Sequence, residues 1–272
     1  MQLRIIKMKI GFAQFNPAFG QVDKNLSRIE RLIGRRQADL LVLPELCTTG
    51  YNFISKKEVR ALSETTRGKT VNYFKEISKR TKINIVAGFA EKEGSKIYNS
   101  AVLVRPSGKI DVYRKTHLFG NEKKYFSPGN TGFKVFSVGQ VKIGMMICFD
   151  WIFPEAARSL ALQGAQVICH PANLVLPYCP DSMPVRALEN RVFTVTANRT
   201  GRENRGGNDL KFIGQSVIAG PNARVLSRAP ADKDAVSIVQ IDPASANNKR
   251  ITPVNDLFKD RRPTFYKRII RK

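Results

Sequence analysis

Residues 141–172, VKIGMMICFDWIFPEAARSLALQGAQVICHPA, contain a cysteine, Cys148, between an apolar run and the start of a helix. The apolar run predicts a buried β-strand. A helix is predicted from Pro154, because proline is favoured in the first helical turn, and Gly164 lies near its C-terminal end. A second apolar run, 165–172, predicts another buried strand. The stretch therefore predicts a strand–helix–strand unit with Cys148 at the turn before the helix.

The N-terminal part of the chain repeats this order of elements. KIGFAQF (9–15) predicts a buried strand, and the apolar residues of 22–33 fall on one face of a helix. ADLLVLPE (38–45) predicts a second strand. The two second strands each end in proline, at Pro44 and Pro171. The matched order indicates an internal duplication rather than chance similarity.

The remaining pattern completes an α/β fold. It predicts a helix at 71–82 and strands at 83–92, 98–104 and 111–115. Continuous apolar strands fit sheets that are covered on both faces, and no Pro/Gly/Ser-rich linker divides the chain. We therefore predict a single domain over residues 1–272, with two packed sheets and helices outside them in four layers. Residues 245–272 show little apolar periodicity and are expected to form a tail that contacts a partner subunit or the chain's own surface.

The charge balance is strongly basic. The chain has 46 Lys and Arg against 22 Asp and Glu, a formal net charge of +24. Such an excess is compatible with a nucleic-acid or membrane partner. However, the basic residues are spread along the whole chain, and no zinc-finger spacing or RNA-binding aromatic signature accompanies them. We interpret them as a solvated surface and expect neither a nucleic-acid nor a membrane partner.

The cysteine pattern and the N-terminal sequence indicate the cellular compartment of the protein. No two of the four cysteines form a C-x-x-C pair, which predicts reduced thiols in a cytoplasmic protein. The N-terminus has no apolar run long enough for a signal peptide or a membrane span. A metal site is not expected, because only His117 and His170 could supplement the cysteines as ligands. The four cysteines are Cys47, Cys148, Cys169 and Cys179.

Cys148 is the strongest candidate for chemistry. A nucleophile at a turn between strand and helix is exposed at the top of a sheet, and backbone N–H groups point toward the reaction centre. A cysteine thiol needs a base, because little of it is thiolate at neutral pH. His117 and His170 are both candidates for that base. The alternative is a buried structural cysteine.

Two charged residues also lie where predicted strands end. Glu45 directly follows a buried strand, and burial would raise the pKa of its carboxylate and make it a competent base. Lys115 ends the strand at 111–115, although one lysine among 46 basic residues is weak support by itself. Ligands of open α/β folds collect where strands end. Glu45 and Lys115 are therefore further candidates for a functional site.

Three motifs resemble the signatures of the nitrilase superfamily of carbon–nitrogen hydrolases. LPEL contains Glu45, YRKTHLF contains Lys115, and ICFDWIFPE contains Cys148, in the order found in that family. The similarity extends from KIGFAQFNP to NDLFKDRRPTFY. It implies an α-β-β-α sandwich that forms a homodimer or larger homo-oligomer. It also implies a Glu45–Lys115–Cys148 triad, so the histidines lose their catalytic role.

The resemblance implies the roles of further residues. Glu122 would orient Lys115 or position the substrate. The backbone N–H of Phe149, together with Lys115, would stabilise the negative charge that develops on the substrate. No cofactor or metal is required, and ammonia would leave as a cysteine thioester forms. Residues expected to line a small, largely apolar pocket are Tyr51, Trp151 and Asn173.

The substrate class is less defined than the chemistry. Branches of this family that bind carboxylated substrates often have arginine in the segment after the cysteine. Residues 149–153 contain none, so the resemblance argues against substrates with a carboxylate near the reacting bond. The motifs resemble small thermophilic archaeal nitrilases and aliphatic amidases, so a small aliphatic nitrile or amide is expected. An N-carbamoyl amine, as in carbamoylputrescine amidases, is the alternative. A non-catalytic basic binding protein on the same fold is the alternative from another functional class.

Overall fold

The computed structural model describes residues 7–270, which form two six-stranded sheets, a two-stranded hairpin and six α-helices. The first sheet contains β1 (Met8–Gln14), β2 (Leu40–Val42), β3 (Asn84–Glu93), β4 (Lys96–Val104), β5 (Ile110–Arg114) and β14 (Ala235–Ile241). The second contains β6 (Val135–Val138), β7 (Val141–Met145), β8 (Val167–Pro171), β9 (Phe193–Ala197), β12 (Val217–Ala219) and β13 (Val225–Arg228). The hairpin is formed by β10 (Arg202–Arg205) and β11 (Asn208–Lys211).

The helices connect and cover these strands. They are α1 (Val22–Ile33), α2 (Lys56–Leu62), α3 (Lys69–Thr81), α4 (Glu122–Tyr125), α5 (Pro154–Leu162) and α6 (Cys179–Asn190). Three 3₁₀ helices occupy Cys148–Ile152, Pro243–Asn247 and Pro263–Ile270.

Both sheets have the same spatial arrangement of parallel and antiparallel strands. Three neighbouring parallel strands, β1-β2-β3 in one sheet and β7-β8-β9 in the other, are joined through helices. In the first sheet β14 pairs antiparallel with β1, and the antiparallel strands β4 and β5 lie beyond β3. In the second sheet β6 pairs antiparallel with β7, and the antiparallel strands β12 and β13 lie beyond β9. The repeated unit predicted from the sequence is thus present in each sheet.

The two faces of β1 show how the layers are built. Ile10 and Phe12 point into the core between the sheets, where they join residues of both sheets, including Ile143. Alternate residues of a strand point to opposite faces, and Ala13 accordingly packs under the outer helices with Leu26 of α1 and other residues. Helices α5 and α6 cover the second sheet. The predicted four-layer α-β-β-α sandwich is confirmed.

The boundaries differ from the sequence prediction in two informative places. The strand predicted at 38–45 is paired as a strand only over Leu40–Val42, because the chain turns after Pro44. The strand before Cys148 ends at Met145, and the cysteine begins a 3₁₀ helix. Helix α5 starts at Pro154 as predicted, and Gly164 follows its C-terminus with a φ of 89°.

The tail packs on the chain's own surface. The ring of Phe258 lies against the guanidinium of Arg158 on α5, and Lys249 Nζ donates to the carbonyl oxygens of Asn190 and Arg191 at the end of α6. Residues 1–6 and 271–272, which belong to the single domain and tail predicted from sequence, lie outside the described residues. Within 7–270, no helix is both long and apolar enough to cross a bilayer.

Candidate active site

Glu45 lies in the turn that follows β2. Its side chain is completely buried, and the residue beside it, Leu46, has a φ of 47°. The turn packs directly on β3, where Gly88 N–H donates to the Pro44 carbonyl and Cys47 N–H donates to the Gly88 carbonyl. A Cβ at position 88 would collide with Glu45 Cα and lie 2.7 Å from Leu46 N. The absence of a side chain at Gly88 is therefore what lets the turn carrying Glu45 lie on the sheet.

Lys115 directly follows β5. Its backbone N–H donates to the Asn99 carbonyl on β4 at 2.8 Å, so the residue continues the sheet by one position. Its carbonyl accepts from Gly129 N–H at 2.9 Å, in the loop that crosses over it. The long side chain is fully buried and extends toward Glu45 rather than toward solvent.

The turn carrying Cys148 is strained and strongly supported. Cys148 has a φ of 42°, a left-handed conformation that costs free energy for a residue with a Cβ. Asp150 Oδ2 accepts from Ile147 N–H at 2.9 Å and from the Tyr113 hydroxyl at 2.7 Å. His170 Nε2 donates to the Cys148 carbonyl at 2.9 Å. These buried hydrogen bonds hold the cysteine in its unfavourable conformation.

Neither histidine acts on the Cys148 thiol. His170 contacts the cysteine through its backbone carbonyl, and burial lowers the pKa of this imidazole to about 4, which keeps it neutral. His117 Nδ1 lies 2.8 Å from Asp150 Oδ1 and its ring stacks on Phe153. Both histidines therefore support the turn, and the base must be sought elsewhere.

Three charged side chains from separate elements meet beneath the surface. Lys115 Nζ lies 2.7 Å from Glu45 Oε1 and 2.7 Å from Glu122 Oε1. Glu122, the first residue of α4, retains only 5% of its surface exposed. One ammonium group thus bridges two buried carboxylates, and the structure brings Glu45, Lys115 and Glu122 together.

Burial and the neighbouring charges shift the pKa values of Glu45, Lys115 and Cys148. Burial raises the pKa of Glu45 to about 7, with the negative charge of Glu122 adding to the rise and Lys115 opposing it. Burial by itself would lower the pKa of Lys115, but Glu122 and Glu45 more than offset this, so the lysine stays charged. Burial also raises the pKa of the Cys148 thiol, so the sulfur is protonated at rest.

One oxygen of Glu45 is left free. Oε1 accepts from Lys115 Nζ and, at 2.7 Å, from Asn99 Nδ2. Oε2 is buried and has no hydrogen-bond partner among the residues that the structure describes. Buried carboxylate oxygens are rarely left without a partner. A free oxygen on a carboxyl group with a pKa near 7 is suited to accept a proton from a neighbouring thiol or water.

Asn173 joins the two halves of the molecule at this point. Its side-chain Nδ2 donates to the Glu45 carbonyl at 3.0 Å, and its backbone N–H faces the Cys148 thiol. Asn173 follows β8 of the second sheet and Glu45 follows β2 of the first. The Asn173 side chain therefore fixes the turn of the first sheet against the second sheet, beside Cys148.

A small cavity opens beside the cluster. Its volume is about 210 Å³, and Tyr51 and Glu122 are among its walls. The Tyr51 hydroxyl donates to Glu122 Oε1 at 2.6 Å. The cavity therefore reaches the buried charges through these two side chains. The other lining residues are Asn52, Phe53, Phe119, Gly120, Asn121, Tyr125, Phe126, Val175, Asn208 and Leu210.

The other residues expected in the pocket lie outside this lining. Phe149 packs at 5.1 Å between ring centroids against Phe119 and lines a neighbouring surface groove. Trp151 is half-buried against the core of the second sheet, and its carbonyl accepts from Arg186. Asn173 is buried against Glu45 as described above.

Three residues of the site were not found from the sequence. Asn99 is a buried amide within the otherwise apolar strand YNSAVLV, and that contrast was the available signal. Arg199 and Glu203 form a buried ion pair behind Tyr51. Nothing in their local sequence distinguishes them from the many other charged residues.

A protein with this sandwich, a cysteine at a strained turn and a buried Glu–Lys–Glu cluster belongs to the class of cysteine hydrolases. Comparison with known sequences specifies the class: the profile of the carbon-nitrogen hydrolase family matches residues 9–250, and the chain belongs to that family. It is 52% identical over 263 residues to a nitrilase of Pyrococcus abyssi, covering 95% of this chain and 99% of that one.

Solved structures agree with this assignment. A carbon-nitrogen hydrolase from Helicobacter pylori superposes with a TM-score of 0.88 at 26% identity, covering 98% of this chain and 99% of that chain. An amidase from Nesterenkonia superposes with a TM-score of 0.79 at 26% identity, covering 96% of each chain. The Nesterenkonia structure shows the acetamide moiety of fluoroacetamide added covalently at the active-site cysteine of that protein.

The close packing at Gly88 makes a testable prediction. Gly88→Ala should displace Glu45 and lower the alkylation rate of Cys148 by about tenfold or more, because small misplacements of reacting groups are costly. The rate is measured with iodoacetamide, using Cys148→Ala to subtract other thiols. Gly220→Ala is the matched control, since a Cβ there makes only ordinary contacts of 3.4 Å or more. A Gly88→Ala protein that reacts as fast as the wild type would contradict this account of the site.

The raised pKa of Glu45 predicts a pH dependence. The free carboxylate oxygen accepts a proton only when Glu45 is ionised, so the reactivity of Cys148 should fall as the pH decreases through about 7. Below that pH the fall should approach tenfold per unit, as for a single titrating base. The alkylation rate of Cys148 between pH 5 and 9 measures it. An acidic limb centred near the ordinary glutamate value would show that burial does not control this group.

Proposed function

We propose that this chain hydrolyses a small aliphatic nitrile or amide to a carboxylic acid and ammonia, with Cys148 as nucleophile. The observation that carries the proposal is the unpartnered Glu45 Oε2, on a carboxyl group with a pKa near 7, within a cluster whose charges act on the Cys148 thiol. A structural cysteine needs no such base. The arrangement therefore also argues against a non-catalytic binding protein on this fold.

The first half of the reaction makes an acyl enzyme. Glu45 removes the proton from the Cys148 thiol as the sulfur attacks the amide carbon. The ammonium group of Lys115 and the backbone N–H of Phe149 stabilise the negative charge on the substrate oxygen. The proton held by Glu45 passes to the departing nitrogen, the carbon–nitrogen bond breaks, and ammonia leaves a thioester on Cys148.

The second half releases the acid. Glu45 takes a proton from water, the hydroxide attacks the thioester carbon, and the proton returns to the departing sulfur. A nitrile follows the same route with one more water molecule: the thiol adds to the nitrile to form a thioimidate, and water then displaces ammonia to give the thioester. Throughout the reaction Glu122 keeps Lys115 charged and in place, through the 2.7 Å contact between Glu122 Oε1 and Lys115 Nζ.

The cavity supports the substrate class. At about 210 Å³ it admits a small molecule, and its walls are mostly aromatic and aliphatic. Glu122 is the single charged residue among the lining residues, and none of them is basic. Glu122 is itself paired with Lys115 Nζ at 2.7 Å, so the lining offers no unpaired cation to a substrate carboxylate. These features favour neutral aliphatic substrates. With Glu45 ionised, the buried cluster holds two carboxylates and one ammonium group, and this net negative charge supports an N-carbamoyl amine with a cationic tail as the second candidate.

We also propose that the protein forms a homodimer and acts in the cytoplasm. Helices α5 and α6 pack together and expose apolar side chains at Leu162 (43%), Val185 (52%) and Leu188 (39%), beside the tail. Exposed apolar side chains on neighbouring helices are typical of subunit contacts, and a second copy is the occupant we propose for that face. All four cysteines are free, which fits the reducing cytoplasm.

A substrate panel tests the proposed activity. Ammonia release is measured from small aliphatic nitriles, amides and N-carbamoyl amines. We expect release from at least one neutral aliphatic compound, abolished by Cys148→Ala and unaffected by Cys169→Ala, a matched control at a fully buried cysteine of β8. Preference for carbamoyl amines would select the second candidate, and a strict need for a substrate carboxylate would contradict the account of the cavity. Turnover that survives Cys148→Ala would refute the mechanism.

A further inference from the structure

Arg199 is the largest fully buried side chain among the described residues. It follows β9, and its guanidinium lies 4.0 Å above the Phe212 ring. Nη2 donates to Asn16 Oδ1 at 2.7 Å and to the Pro17 carbonyl at 3.1 Å, and Nη1 pairs with Glu203 Oε1. A buried guanidinium is costly unless every donor is matched, so this one must serve a defined arrangement.

The partner of this arginine, Glu203, holds a loop of the cavity wall. Its carboxylate accepts from the backbone N–H of Tyr51 at 3.1 Å and from that of Asn52 at 2.6 Å. Gly50 makes the approach feasible, because a Cβ there would lie 2.9 Å from Glu203 Oε1. Hydrogen bonds from backbone N–H groups to a buried carboxylate are short and strong. The Tyr51–Asn52 backbone is therefore fixed by Glu203.

The loop in turn reaches the charged cluster. The Tyr51 hydroxyl donates to Glu122 Oε1 at 2.6 Å, and that same oxygen accepts from Lys115 Nζ at 2.7 Å. A continuous series of buried hydrogen bonds therefore runs from Arg199 through Glu203 and the Tyr51 backbone to its phenol, then to Glu122 and Lys115. Glu203 lies in strand β10, at the base of the hairpin whose other strand supplies Asn208 and Leu210 to the cavity.

We propose that Glu203 is a positioning residue: it holds Tyr51 so that the phenol hydroxyl orients Glu122 against Lys115, and it ties the β10–β11 hairpin to the cluster. The inference deepens the proposed function and rests on it for its kinetic readout. Glu203 touches neither the cavity nor the reacting atoms. It acts through the Tyr51–Asn52 backbone, and its effect on Glu122 must therefore pass through the Tyr51 hydroxyl.

A double-mutant cycle tests this dependence. Tyr51→Phe removes only the hydroxyl, and Glu203→Gln removes the charge that holds the loop. We expect each to lower kcat by about tenfold with KM changed by less than about threefold, since the contacts orient the reacting groups rather than bind substrate. The double variant should lose little more than the larger single loss, because both act through one series of contacts. Losses that multiply would overturn the proposal.

A matched control lies on the same hairpin. Arg202 and Asp209 form an ion pair on its outer face, and both are solvent-exposed. Asp209→Asn should leave kcat and KM unchanged. A fall in kcat for this variant equal to that for Glu203→Gln would show a general effect of hairpin stability instead of positioning, and would overturn the proposal.

A second readout separates the inference from the proposed function. Iodoacetamide alkylation of Cys148, corrected with Cys148→Ala, should be slowed several-fold by Tyr51→Phe and by Glu203→Gln, even if no panel compound is a substrate. Glu203→Gln strands the buried charge of Arg199 and can prevent folding, which circular dichroism and thermal unfolding would reveal. If Glu203→Gln does not fold, Tyr51→Phe is the deciding variant, because it leaves no buried charge without a partner. An unchanged alkylation rate in Tyr51→Phe overturns the proposal.

Discussion

The ammonium group of Lys115, held at 2.7 Å from each of two buried carboxylates, is the interaction around which the site is organised. Removing three charges from water costs several kcal/mol per ion unless each is paired and hydrogen-bonded. The surrounding structure supplies those partners: Asn99 donates to Glu45, Tyr51 donates to Glu122, and Phe119 N–H lies near Glu122 Oε2. Two negative charges and one positive charge leave the cluster one proton short of neutrality. That imbalance, together with burial, is why Glu45 binds a proton near pH 7.

The topology explains how distant residues arrive at one point. Glu45 follows β2 and Lys115 follows β5, which belong to the first sheet, while Cys148 and Asn173 follow β7 and β8 of the second. The C-terminal ends of parallel strands in an α/β sheet meet along one edge, where loops can carry polar groups. Because the two sheets pack face to face, the edge of one lies against the edge of the other. The bond from Asn173 to the Glu45 carbonyl crosses that junction.

Backbone strain is concentrated at this junction as well. Leu46 and Cys148 both have positive φ, at 47° and 42°. Such residues persist only where surrounding contacts over-determine them. The bonds of Asp150 and His170 serve that purpose at Cys148, and the close contact with Gly88 confines the turn beside Leu46. His170 thus supports the turn through the Cys148 carbonyl, while burial lowers its pKa and keeps the imidazole neutral.

Local sequence was sufficient for the elements with a strong repeating pattern. The helix at 22–33 agrees with its predicted bounds, and the parallel strands β1, β2, β3, β7 and β8 were recognisable because strands buried on both faces are continuously apolar. Strands β6, β9, β12, β13 and β14 and the β10–β11 hairpin were not predicted. Their residues are short or half-exposed runs, whose conformation depends on the strand beside them rather than on their own periodicity. Strand β14 is defined by its pairing with β1 over seven positions.

The candidate site divides in the same way. The sequence by itself singled out Glu45, Lys115 and Cys148 as candidates for the chemistry, because each stands at the end of an apolar strand and within a motif resembling one family. Only the tertiary structure decided which oxygen of Glu45 is free, how the two histidines support the turn that carries Cys148, and that Trp151 lies outside the cavity lining. The physical reason is range: strand and helix patterns arise from neighbours in the chain, whereas burial, charge pairing and pKa depend on residues that meet only after both sheets have packed.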